Sequence, residues 1–112
     1  MTDDIGLANA YGAEVPESLR ILAGYLERAL DSATSIVMMR HTVDACTVYL
    51  GDPAGLPEDL KQIGTIATSL ANDMLELTSS GGNQIHIDSQ AYRFVRSFTE
   101  VGDIAAVVFA AD

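Results

Sequence analysis

Residues 84–98 read QIHIDSQAYRFVRSF, and the order of apolar and polar side chains in this stretch decides the fold. Ile85 and Ile87 alternate with Gln84, His86 and Asp88, while Tyr92, Phe94 and Phe98 alternate with Arg93, Ser97 and their neighbours. Period 2 marks half-buried strands, and the short polar break at Ser89-Gln90 marks a tight hairpin between them. The spacing therefore predicts strands at 84–88 and 91–99. A glycine turn at Glu100-Val101-Gly102-Asp103 reverses the chain into a third strand over 104–110. That strand, IAAVVFA, is apolar at nearly every position, as a central strand covered on both faces would be.

Upstream, Pro16 opens PESLRILAGYLERALDS, where Leu19, Leu22, Leu26, Ala29 and Leu30 recur at helical spacing and Glu17 suits the positive end of the helix dipole. Ile21 and Tyr25 stand off that stripe, so the apolar surface is wider than one contact line needs. The run SIVMMRHTVDACTVYLG reads as two strands, 35–40 and 45–50, around a polar turn; the alternative is that the first helix continues through Met38 and Met39. The segment 57–78 is expected to be a second, long helix. Pro57, Glu58 and Asp59 suit a first turn, Leu60, Ile63, Ala67, Leu70, Met74 and Leu77 trace one face with Ile66 beside it, and Ser79-Ser80-Gly81-Gly82 stops the run. Residues 1–15 follow neither period and are expected to be a flexible arm, leaving 16–112 as a single domain.

The reading is thus α+β, in the order helix, strand, strand, helix, strand, strand, strand, with an antiparallel meander packed against two helices. Sixteen acidic against six basic residues give a net charge of −10, which disfavours nucleic acid and anionic lipid and favours a protein partner. No apolar run approaches membrane-spanning length, the first residues carry acid where a secretory signal carries base, and the single Cys46 excludes a disulfide framework. The expectation is a cytoplasmic protein that does not bind membranes.

No residue pattern signals catalysis. His86 and Asp88 share a strand face but lack a third metal ligand, so neither a metal site nor a cofactor is expected. Cys46 has His41 as its nearest base in sequence, without an oxyanion-hole motif beside them. The candidate contact residues are instead Ile21, Tyr25, Ile66, Tyr92, Arg93, Phe94 and Arg96, because arginine among aromatic side chains is the composition that interface hot spots prefer.

The element order resembles the roadblock (dynein light-chain roadblock) family, a fold also likened to the longin and profilin-like domains. The resemblance rests on SIVMMRHTVDACTVYLGDPAG as the first hairpin and its exit, on the segment 57–78, and on QIHIDSQAYRFVRSFTEVGDIAAVVFA as the closing strands. It implies a non-enzymatic homodimer in which long helices meet or sheets join, serving as a scaffold or regulator of a small Ras-like GTPase or a motor complex. Two rivals remain: a small acidic secretion-type chaperone holding a partly unfolded client, and a small enzyme using His86 or Cys46.

Overall fold

The computed structural model describes residues 15–112, so the expected arm lies, except for Val15, outside the described residues. Helix α1 spans Glu17–Asp31. Strands β1 (Ser35–Arg40) and β2 (Ala45–Gly51) follow, then a 3-10 turn at Pro57–Asp59, strand β3 (Lys61–Ala67) and helix α2 (Thr68–Glu76). Strands β4 (Gly81–Ile87), β5 (Gln90–Val101) and β6 (Ile104–Ala111) complete the described chain. All six strands join one antiparallel sheet in the order β3-β2-β1-β6-β5-β4. Two three-stranded meanders, β1-β2-β3 and β4-β5-β6, are thus stitched together where β1 pairs with β6.

The α+β class agrees with the alternation read from the sequence. Helix α1 ends where Ala33 enters the left-handed region at φ 53°, with Ala33 N–H donating to Leu30 O and Thr34 N–H to Ala29 O. This pair of bonds is a Schellman-type stop, so the helix does not run on through Met38 and Met39. The β4–β5 turn falls one residue earlier than the spacing predicts, at Asp88-Ser89, with Asp88 at φ 58°. The last strand is central as expected. Val107 and Phe109 face the helices, while Ala106 and Val108 are buried on the other side.

The long helix over 57–78 is corrected, and with it the strand count, which is six rather than five. Its first half is β3. Ile63, Thr65, Ile66 and Thr68 are β-branched and crowd a helical turn, and Gly64 weakens a helix further, so local preference favours extended chain once β2 offers a partner. The apolar spacing 60, 63, 67, 70 suits a helix, but the strand does not use it as one face: Leu60 packs on the face opposite to Ile63, and Ala67 is exposed. A bulge is present, where the β2–β3 register shifts between Val48 and Tyr49. What remains helical is the nine-residue α2.

Both helices lie on one face of the sheet, over a core that includes Leu22, Leu26, Ile36, Val48, Met74, Phe94 and Phe109. Phe94 and Phe109 meet edge to face at 5.8 Å between ring centroids. A second cluster of Val37, Met39, Val101 and Ala106 is buried on the opposite face, with Tyr49, Leu60 and Ile104 packed against it. Tyr25 reaches from α1 to the strand across the groove, and its hydroxyl rests where a side chain on Gly64 would begin. Gly64 therefore sets how closely α1 approaches the β3 half of the sheet.

Gly64→Ala should destabilise the fold by about 1–3 kcal/mol through overpacking against Tyr25. In urea unfolding, the same change in a Tyr25→Phe background should cost measurably less, because the colliding oxygen is gone. Equal costs in both backgrounds would show that Tyr25 is not the obstacle.

Candidate functional site

Five of the seven residues expected to make outside contacts instead belong to the helix-side core. Ile66, Tyr92 and Phe94 are buried in it, and Ile21 and Tyr25 are half-buried and packed against it. The reason is which face of the sheet the helices cover. Residues 92, 94 and 96 share a face by alternation, and that face is the one α1 and α2 shelter.

Arg96 is 9 % exposed, and its guanidinium closes the C-terminal end of α2. Its Nη1 donates to Leu75 O (2.8 Å), Thr78 O (3.0 Å) and Thr78 Oγ1 (2.8 Å), and its Nη2 lies 3.4 Å from Ser80 Oγ. The last carbonyls of a helix have no partners of their own and carry the negative end of its dipole, so a cation there is favourable. Thr78 supports the arrangement by donating from Oγ1 to Met74 O at 2.7 Å. Phe98 lies against the same guanidinium, 5.5 Å from its ring centroid. Arg96 is thus an internal clamp between β5 and α2.

Arg93 faces the other way and is exposed. Its Nε donates to Gln84 Oε1 at 3.2 Å. Gln84 in turn lies 3.2 Å from His86 Nε2 through its own Nε2, making a polar ladder across β4 and β5. Asp88 instead meets Arg20 of α1 at 3.7 Å, an exposed pair that contributes little to stability.

Beside that pair, the Tyr92 hydroxyl donates to Glu27 Oε2, joining β5 to α1. Arg20, Glu27, Asp88 and Tyr92 line a shallow polar recess over Ala23 and Gly24. The Glu27 hydrogen bond raises the Tyr92 pKa above the ordinary tyrosine value, with desolvation and the negative charges of Glu27 and Asp88 acting in the same direction.

Cys46 is buried on the helix side of β2. The His41 ring is held at Tyr49, its Nε2 3.0 Å from the hydroxyl, and Tyr49 packs with the cluster on the opposite face. The two do not form a dyad. Among the described residues there is no group of three or more His, Cys, Asp or Glu placed to hold a metal ion, and no helix is long and apolar enough to cross a membrane. The clamp at Arg96 and the link from Tyr92 to Glu27 had no signal in the sequence, since each joins residues far apart along the chain.

Arg96→Met should cost about 2–4 kcal/mol, because it leaves buried carbonyls at the end of α2 without donors. Amide exchange should accelerate first at residues 75–80. Stability should also fall as pH rises past about 10, the ordinary tyrosine value. A raised folded pKa means that the folded state holds the proton longer than the unfolded chain, so the contribution is complete below that value and is lost above it. Tyr92→Phe should flatten this decline in pH-dependent urea midpoints. An unchanged slope would remove the role of the Glu27 link.

In comparisons with protein-family models, curated proteins and solved structures, nothing matches this chain.

Proposed function

We propose that this chain is a non-enzymatic protein-interaction module of roadblock type that acts as a homodimer, and that it serves as a scaffold or regulator of a small Ras-like GTPase. The observation that carries the self-association is the outer edge of β4. Strand edges invite pairing with another chain, and proteins usually blunt them with charge, proline or bulges. The edge at β3 is blunted in this way, with Lys61 at its start and a bulge between Val48 and Tyr49 in its pairing. The β4 edge, GGNQIHI, has no acid, lysine, arginine or proline and keeps a regular register with β5.

Charge adds to the argument. Two copies of a chain with net charge −10 repel each other, and the approach is least costly along a seam without carboxylates. The pair Ile87 and Gln90 closes the two-residue turn, so by alternation the backbone groups of Gly82, Gln84 and His86 point away from β5. A second copy running antiparallel about a two-fold axis at Gln84 sets Gln84 on Gln84 and Gly82 on His86. All the outward groups then pair in one isologous contact. The other route that the family likeness implies, long helices meeting, has lost its basis, because α2 has nine residues. The GTPase partner follows from that likeness alone.

Light scattering at tens of micromolar should return twice the 11.9 kDa chain mass. Gln84→Pro removes an outward N–H at an edge position where proline is tolerated, so it should yield a folded monomer. A wild-type monomer, or a Gln84→Pro dimer, would overturn the seam.

A further inference from the structure

On the helix-covered face, α2 leaves a groove of about 270 Å³ beside it. Ala71, Asn72 and Leu75, one stripe of α2 at helical spacing, border the groove from the helix. Met38 and Val107 line it from the sheet, and Phe98 borders it from β5. Phe98 is 60 % exposed, yet its ring lies against the Arg96 guanidinium, which is itself fixed at the end of α2. An aromatic wall that is already ordered spares a partner part of the entropy cost of binding.

The charges around this groove are mostly negative. Glu100 shares the face of Phe98 by alternation and pairs in register with Ala105, which lines the groove. Asp73 and Glu76 follow Asn72 and Leu75 on α2. The Asp44 carbonyl accepts from the Thr68 N–H at 2.9 Å, so the β1–β2 turn abuts the start of α2, and Asp103 lies in the turn between β5 and β6. All five acidic residues are exposed, and Arg40 is the one exposed base beside them among the described residues. An apolar groove inside such a rim attracts cations and turns anions away. At about 270 Å³ it has room for one or two apolar side chains rather than a whole helix face.

We propose that this groove docks a partner protein through a basic segment. One or two large apolar side chains of that segment enter the groove beside Phe98, and the lysine or arginine residues flanking them pair with Glu76 on one side and Glu100 on the other. No residue of β4 lines the groove, so the contact is open both in one copy and in a pair joined at the β4 edge, and it neither needs nor disturbs the seam described above.

The probe is a short peptide, blocked at both ends, with a leucine–tryptophan pair between two lysines on either side. One control carries glutamates in place of the lysines, and the other carries alanines in place of leucine and tryptophan. The readout is the methyl chemical shifts of Met38, Ala71 and Val107 in the full chain. The lysine peptide should move them saturably at sub-millimolar concentration, and each control should bind about tenfold more weakly or worse. Glu76→Lys combined with Glu100→Lys should weaken the lysine peptide to a similar degree without lowering the thermal midpoint; Glu76→Gln with Glu100→Gln supplies the comparison if the reversal lowers it. Equal binding of either control, tight binding that survives loss of both glutamates, shifts confined to residues outside the groove, or no shifts at all would each overturn the proposal.

Discussion

The pairing of β1 with β6 is the contact on which the rest of the molecule depends. Each meander has only three strands, a size that needs a packed face to be stable. Joined through Ile36 opposite Phe109 and Val37 opposite Val108, they become one surface on which a single core assembles. The partners lie far apart along the chain, with Ser35 opposite Ala110, so loop closure opposes this contact before any burial rewards it. Its side chains answer that cost on both faces. Ile36 and Phe109 enter the core beneath the helices, and Val37 and Val108 are sealed on the other side.

From that central pair the two helices acquire their positions. Helix α1 lies across the seam and is tied to one half by Tyr25 over Gly64 and to the other by Glu27 on Tyr92. Helix α2, only nine residues long, would be a poor helix alone, and Arg96 holds its far end from the strand beneath. Its near end, by contrast, lacks a side-chain cap.

Edges and faces divide the chemistry of the surface. The outer face presents the polar ladder of Arg93, Gln84 and His86, and the β4 edge beneath it carries backbone groups without charged guards. Sequence reasoning placed its candidate contact residues largely on β5. Arginine and aromatic residues side by side suggest a binding surface, yet Tyr92, Phe94 and Arg96 alternate with Arg93, and only Arg93 remains outside. Alternation reports which side chains share a face. It says nothing of which face another element will cover.

The amino-acid sequence by itself determined the amphipathic α1, the hairpin of β1 and β2, the closing meander, and the central place of the apolar last strand, because each depends on a local period or a local turn. The strand at Lys61–Ala67 was decided only by tertiary structure. Its apolar spacing suits a helix, and β2 overrides that pattern by offering hydrogen-bond partners to a segment whose β-branched residues and glycine make a weak helix. The same holds for the clamp at Arg96, the Tyr92–Glu27 link and the groove at Arg40. Each is made by side chains that the folded sheet brings together from distant parts of the chain, and no local pattern encodes which distant residue will arrive.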